Sequence, residues 1–252
     1  MTTAIETFQI HLTSASADKI IDNNNANVEF YMPTIEIPTQ YHIYVSVVHA
    51  VIPFTFYNIN STNNLLVYTV GTSGTFNLSI TPGNYTVNSF KSFLLSNMPG
   101  FTITYDSITN TFTFSRSDAN TFRFLNTSTC GSLIGMNISL TSNSEQYTTI
   151  TSNRCVNLAP IRCICIGTNL KTFNINKTSV NNQSVICSIP INTQPYSIIT
   201  YQNPNNFRVN TYTNLISSIA IKLMDQNGQQ LDLNGANWSI TLQFDIVDFV
   251  ND

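Results

Sequence analysis

Short runs in which apolar and polar residues alternate with a period of two fill most of this 252-residue chain. The clearest run lies near the C-terminal end, where Ile219, Ile221 and Leu223 alternate with Ala, Lys and Met. A turn follows at 225–228, and its Asn-Gly pair accepts the positive φ angles of a tight hairpin. Successive side chains of a strand point to opposite faces, so this alternation predicts β-strands with one buried face. We therefore expect an all-β fold.

Strand-like segments are spread over both halves of the chain, with Asn-, Ser- and Thr-rich turns between them. Such spacing indicates a β-sandwich or barrel, and roughly eight strands per half is the number found in a jelly roll. We predict a jelly-roll sandwich made of two tightly joined rolls, residues 1–126 and 127–252. The alternative is one enlarged roll that carries inserted hairpins and a helix.

One α-helix is predicted near residues 87–97, and a second, shorter one within 127–136. Thr86 can cap the first helix, and Asn97 and Pro99 should end it. Its buried stripe would consist of Val87, Phe90, Phe93 and Leu94. The fold class is therefore all-β with one or two short helices.

Two apolar segments are candidates for core or interface. The segment 44–56 is apolar on both faces, and such a strand is buried on both, either within a roll or against a neighbour. Its possible interface or core residues are Val45, Val47, Val48, Val51, Phe54 and Phe56. The closing strand has its predicted core residues in one phase, namely Trp238, Ile240, Leu242 and Phe244. Trp238 could also stack on a sugar, but its phase favours the core.

The composition is low in charge: charged residues make up 9% of the chain, the net charge is −3, and there are 34 asparagines. Such a surface offers little charge repulsion and suits packing against other subunits, although codon bias in an AT-rich genome would also raise Asn. The chain has no Lys/Arg run, so we expect no direct nucleic-acid contact. No apolar stretch reaches the ~20 residues of a membrane span, and the first residues do not resemble a signal peptide.

Motifs for catalysis are missing. The chain contains no Gly-x-Ser-x-Gly, no phosphate loop and no dinucleotide fingerprint. The three histidines lack the spacing of a cupin metal site, and the turn at Asp225 lacks the Glu that a calcium loop needs, since Ala236 stands there. The five cysteines include no CxxC pair and are expected to be structural thiols of a reducing compartment. We expect no catalytic, metal or cofactor site, and no enzyme.

Three stretches of the chain share a pattern with a known family. They are 45–60, then 80–90 followed by 101–106, and the closing hairpin 219–242. In this order they resemble minor capsid and penton (vertex) proteins of eukaryotic double-stranded DNA viruses, the lineage of giant viruses, virophages and polinton-like elements.

The resemblance implies a structural protein of an icosahedral virion shell, assembled in the host cytoplasm. It would associate with itself, as a trimer or a pentamer, and pack against other capsid proteins. A minor capsid protein that packs against major capsid subunits is our first hypothesis, and a single-roll penton at the vertices is the alternative. A carbohydrate- or receptor-binding jelly roll, with Tyr147, Tyr196 or Tyr212 at loop tips, is a hypothesis of another class. An enzyme on a β-sandwich, such as a glycosidase or a cupin, is the third.

Overall fold

The computed structural model describes residues 4–21, 24–72, 74–118, 120–138, 147–172, 175–177 and 182–248. Within these ranges the chain forms strands, one α-helix and a short 3-10 turn, Ser14–Ser16. The helix, α1, spans Val87–Asn97. The strands are β1 Glu6–Thr13, β2 Lys19–Ile20, β3 Asn27–Glu36, β4 Tyr41–Pro53, β5 Leu65–Val70, β6 Thr75–Ser79, β7 Phe101–Asp106, β8 Thr111–Arg116, β9 Phe122–Phe124, β10 Thr149–Thr151, β11 Cys163–Thr168, β12 Ile175–Lys177, β13 Asn182–Pro190, β14 Ile198–Gln202, β15 Val209–Thr211, β16 Leu215–Met224 and β17 Ser239–Asp248.

The chain divides into two units. Met1–Phe56 and Ile161–Asp252 together form one, here named the roll unit. Tyr57–Pro160 forms the other, the inserted unit, which interrupts the roll unit in sequence between β4 and β11. The predicted boundary between residues 126 and 127 falls inside the inserted unit, to which both residues belong.

The roll unit contains two antiparallel sheets. In sheet A the strand order is β1-β17-β4-β14, and β15 also pairs with β4. In sheet B the order is β12-β13-β11-β16-β3-β2. Of the eight main strands, β1, β4, β14 and β17 belong to sheet A and β3, β11, β13 and β16 to sheet B. The chain passes from one sheet to the other between successive main strands, except at β11 and β13, which pair with each other in sheet B. Two four-stranded layers wound in this way are a jelly roll, which confirms the predicted fold class.

The inserted unit has two three-stranded sheets, β10-β8-β7 and β6-β5-β9, together with α1. Its core is aromatic, with Phe90, Phe112, Phe114, Phe122 and Phe124 almost fully buried. Over its described residues, 57–72, 74–118, 120–138 and 147–160, this unit lacks the eight-strand order of a jelly roll. The strand orders therefore match the alternative of one enlarged roll with inserted hairpins and a helix, rather than two rolls in sequence.

Helix α1 has the predicted bounds because its first turn is capped. The backbone N–H of Ser89 donates to Thr86 Oγ1 at 3.2 Å, and the backbone N–H of Thr86 donates to Ser89 Oγ at 2.9 Å. This reciprocal pair is a capping box with Ser in place of Glu. The second helix predicted within 127–136 is instead a series of turns, in which Gly135 has φ +69° and the N–H of Met136 bonds Gly131 O.

Candidate assembly surface

The closing strand β17 lies inside sheet A, between β1 and β4. The structure places its four predicted core residues in the interior, with Trp238 2% exposed and Ile240, Leu242 and Phe244 fully buried. The indole N–H of Trp238 donates to the Asn25 carbonyl at 2.6 Å, and its ring meets Phe30 edge-on at 6.3 Å. A buried, fully bonded indole is unable to stack on a sugar, so Trp238 is a core residue.

The six candidate residues of 44–56 divide into two groups. Val45, Val47 and Phe56 are buried, whereas Val48, Val51 and Phe54 are half-buried. For the four valines the division follows from a register shift, since Thr241 pairs with His49 but Leu242 pairs with Val47. Val48 is therefore the extra residue of a β-bulge. Of the six, only the second group has side-chain area that another subunit could contact.

The end of this segment is fixed against the closing hairpin. Phe54 stacks on Phe56 with ring centroids 4.4 Å apart. Between them, Thr55 donates through Oγ1 to the Leu233 carbonyl at 2.6 Å and accepts at its own carbonyl from Asn234 Nδ2 at 2.6 Å. These bonds hold Thr55, which lies between the two rings in sequence, against residues 233 and 234 of the closing hairpin.

The outer face of sheet A carries a row of polar side chains that bond across strands β1 and β17. Gln9 Nε2 donates to Gln243 Oε1 at 2.9 Å, and His11 Nδ1 lies 3.1 Å from Thr241 Oγ1. The alternation of β17 predicts polar residues on this face, but no pattern in the chain identifies β1 as the strand that they bond. The row is ordered before any association, which lowers the entropy cost of forming a contact there.

Asp245 is the centre of this row. Its carboxylate accepts from Thr7 Oγ1 at 2.9 Å, from Gln243 Nε2 at 3.0 Å and from Arg208 Nη1 at 3.3 Å. The Arg208 guanidinium also lies over the Tyr44 ring, 4.4 Å from its centroid. The side chain of Asp245 is only 11% exposed, so this ion pair is screened less than a surface pair. No sequence pattern identifies Arg208 as the partner of Asp245, since the two residues lie 37 positions apart in the chain.

The three tyrosines proposed as loop-tip contacts differ in exposure. Tyr196 is 73% exposed and has φ +68°, and its N–H donates to the Phe54 carbonyl at 2.8 Å. Tyr212 is 46% exposed, whereas Tyr147 is half-buried. Tyr196 and Tyr212 belong to the roll unit and Tyr147 to the inserted unit. Only Tyr196 combines high exposure with a backbone conformation that is unusual for a side chain of its size.

All five cysteines are free thiols. Burial raises the pKa of Cys130 to about 12, and burial followed by the neighbouring Cys163 raises that of Cys165 to about 11. Burial also raises the pKa of Cys187, whereas Cys155 is exposed. A thiol with a raised pKa is a poor nucleophile and metal ligand at neutral pH, which agrees with a structural role for the buried three.

Metal-binding groups do not converge in the described part of the chain, where no three His, Cys, Asp or Glu side chains lie together. The segment that begins at Asp225 is the expected turn, in which Asp225 Oδ1 accepts the backbone N–H of Asn227 and of Gln229, each at 2.8 Å. The bond to Asn227, two residues on, is that of an Asx turn. Over the described residues, α1 is too short and polar to be a membrane-spanning helix.

No family model matches the chain, and no curated protein matches it in sequence. Among solved structures, the chain is similar to the crystal structure of the mavirus penton protein, with a TM-score of 0.52 and 11% sequence identity. The match covers 96% of this chain and 100% of the penton chain. Because so low an identity establishes architecture only, we conclude that the chain shares the fold of a virophage penton protein along nearly its whole length.

Proposed function

We propose that the chain is a structural subunit of an icosahedral virion and that it occupies the vertices. The observation that carries this proposal is the end-to-end structural match to a penton protein, which includes both the roll unit and the inserted unit. The match covers 96% of this chain and therefore extends over residues of both units.

The single roll favours the vertex over our first hypothesis, a minor capsid protein between vertices. A trimer of double-roll chains has a pseudo-six-fold outline, because two rolls times three subunits give six similar positions. This chain has one jelly roll and an inserted unit of another architecture. Five single rolls around a closed rotation axis fit a vertex instead.

The outer face of sheet A is the surface that we propose for contacts within the ring. Its side chains are already held by bonds such as Gln9 to Gln243 and Thr7 to Asp245. A polar, ordered surface resembles the rim of protein interfaces, and the half-buried Val48 and Val51 supply apolar area beside it. The low overall charge leaves weak repulsion between copies.

Other partners and the location of the protein follow from the same proposal. The ring would pack against the surrounding major capsid subunits in the virion, after assembly in the host cytoplasm. A structural role requires no catalytic group, and we assign none.

Light scattering coupled to size-exclusion chromatography tests the proposal on the purified chain at several concentrations. We expect a pentamer whose fraction grows with concentration. Thr241→Lys, on the outer face of sheet A, should reduce the pentamer, while Ser188→Lys, an exposed position on β13 of sheet B, serves as the matched control. A trimer would refute the vertex assignment, and a pentamer unaffected by Thr241→Lys would refute the proposed contact face.

A second candidate function rests on Tyr196. Non-glycine residues with positive φ cost roughly 1–3 kcal/mol and persist at functional sites when the surroundings enforce them. An exposed aromatic ring held in this way could contact a receptor or a glycan. Glycan-array binding that Tyr196→Ala abolishes and Tyr212→Ala preserves would support this role, and binding unchanged by Tyr196→Ala would exclude it for this residue.

A further inference from the structure

Strand β1 forms one edge of sheet A, and half of its backbone groups point away from the sheet. It pairs with β17 in a register that places Ile10 opposite Leu242. The N–H of Ser14 donates to the Trp238 carbonyl at 3.0 Å in the same register, so the even-numbered residues of β1 bond β17. The backbone N–H and C=O groups of the odd-numbered residues therefore face outward. These residues are Thr7, Gln9, His11 and Thr13.

This edge is open within the part of the chain that the structure describes. Thr7, Gln9 and His11 are exposed, and no strand other than β17 pairs with β1. Natural proteins protect such edges with Lys, Pro, bulges or very short strands. Sheet B shows these devices, because β2 has two residues and β3 contains Pro33. Over Thr7–Thr13, β1 has no charged Lys, Arg, Asp or Glu and no Pro.

The sequence of β1 is also symmetric in chemical type about Ile10. It reads Thr-Phe-Gln-Ile-His-Leu-Thr from Thr7 to Thr13. On each side of Ile10 the chain has first a polar residue, then a large apolar residue and then Thr. The polar side chains at positions 9 and 11 lie on the outer face of sheet A, where they bond Gln243 and Thr241. Phe8, Ile10 and Leu12 face the core.

We propose that β1 pairs antiparallel with β1 of a second copy of this chain, about a two-fold axis at Ile10. In this register Thr7 lies opposite Thr13 of the second copy, and Gln9 lies opposite His11 of the second copy. All the outward N–H and C=O groups of both strands then find partners. The polar residues meet polar residues on the outer face, and Phe8, Ile10 and Leu12 meet their apolar counterparts below it, which joins two A sheets into one.

Charge does not oppose this pairing. Glu6, the one acidic residue of β1, would lie opposite Ser14 of the second copy, and His11 would face a glutamine rather than another His11. A seven-residue strand pair buries less surface than a stable dimer requires, so the contact is weak and dependent on concentration. It is two-fold and therefore differs from the ring contact of the proposed function, on which it does not depend.

Register-specific disulfide formation tests the proposal. In a background with Cys155→Ser, which removes the exposed native thiol, single variants Thr7→Cys and Thr13→Cys are oxidised separately and as a mixture. Residues 7 and 13 of opposite copies would lie within disulfide reach, while identical positions would be about six residues apart along the strand, roughly 20 Å. We expect covalent dimers in the mixture and none from either variant alone.

The two-fold symmetry of the proposed β1–β1 contact is tested with a double cysteine variant. A chain with both Thr7→Cys and Thr13→Cys should give covalent dimers that stop at two copies, because a two-fold contact satisfies both positions at once. Head-to-tail contacts, including those of a ring, would give a ladder of larger products. The absence of dimers in the mixture of folded single variants, or a ladder from the double variant, would overturn the proposal.

The dependence on the backbone edge is tested with Gln9→Pro in the same cross-linking assay. Proline removes an outward N–H and leaves the bonds between β1 and β17 in place, which edge strands tolerate. Gln9→Ala is the matched control, since it loses the same 2.9 Å side-chain bond to Gln243 but keeps the N–H. We expect the dimer yield to fall about tenfold with Pro and to persist with Ala. Equal yields from the two folded variants would contradict the proposal, while pentamer formation is scored separately.

Discussion

At the scale of single residues, the described part of the chain places neutral groups in its cores and keeps its two buried carboxylates, Asp225 and Asp245, hydrogen-bonded. Asp245 is bonded by three donors, among them Arg208. Cys130 is fully buried in the inserted unit and stays protonated, because burial disfavours the thiolate. Both cases follow from the cost of burying a charge without compensation.

The buried thiol gives the fold a stability that depends on pH. Burial raises the pKa of Cys130 from 9.0 to about 12 in the folded chain. Between these values the unfolded chain loses a proton that the folded chain keeps, so the free energy of unfolding should decrease as pH rises. We expect Cys130→Ala to show a shallower decrease than wild type in urea unfolding above pH 9. If the free energy of unfolding fell equally steeply with pH in wild type and Cys130→Ala, this explanation would be refuted.

A second residue-scale prediction concerns Gly135, which has φ +69°. A Cβ at this position would lie 2.3 Å from the Arg154 carbonyl oxygen, so backbone atoms would have to move. We expect Gly135→Ala to destabilise the protein by about 2–4 kcal/mol, combining positive φ with overpacking. Gly74→Ala is the control, because it also has positive φ, +97°, but meets nothing within 4 Å. The urea midpoint of Gly135→Ala should be clearly lower than that of Gly74→Ala. Equal midpoints would contradict the prediction and show that the clash is relieved.

At the scale of elements, local sequence patterns predicted the features that depend on residues close together in the chain, such as helix bounds and the buried face of a strand. The cap at Thr86 and the apolar stripe of α1 gave its bounds, and the phase of Trp238 gave the buried face of β17. The bulge at Val48 was unpredictable, because it depends on the register between strands far apart in the chain. For the same reason β1 could not be identified as the partner of β17, nor Arg208 as the partner of Asp245.

The bulge predicts opposite outcomes for two neighbouring substitutions in β4. Val47 is 2% exposed, whereas Val48 is the half-buried extra residue of the bulge. Val47→Asp should prevent the roll unit from folding, because it buries an unpaired charge, and Phe56→Asp should do the same. Val48→Asp should fold, with a loss of about 1–2 kcal/mol. Soluble yield and near-UV circular dichroism distinguish these cases, and a folded Val47→Asp protein would contradict the assigned register.

At the scale of the whole molecule, the two units have similar strand spacing, so the spacing alone does not reveal that their strands pair in different orders. Counting strands gave roughly equal halves, but the order of pairing puts eight strands of one roll on both sides of an interruption. Loop-closure entropy rises only slowly with length, so a jelly roll tolerates so long an insertion between two of its strands. Strands β1 and β17 therefore belong to one unit, which a boundary at residue 126 does not allow.

The two cores share no residue, which leads to a prediction for the inserted unit alone. One buried cluster runs from Ile59 to Val156, with Leu158 packed against it, and the other lies wholly within the roll unit. Since a domain with its own core can fold independently, we expect a fragment of residues 57–160 to unfold cooperatively on heating. Phe112→Ala in that fragment should lower its stability by about 3–5 kcal/mol.

The matched control for that fragment is Ile108→Ala, because Ile108 is 93% exposed in the loop after β7 and should leave the melting temperature nearly unchanged. A fragment without a cooperative transition would mean that the inserted unit depends on the roll unit for stability. Cooperative melting would show that the interruption of the jelly roll is a separate folding unit. The inserted unit could then change in sequence without altering the roll, which is the part that we propose to form the ring.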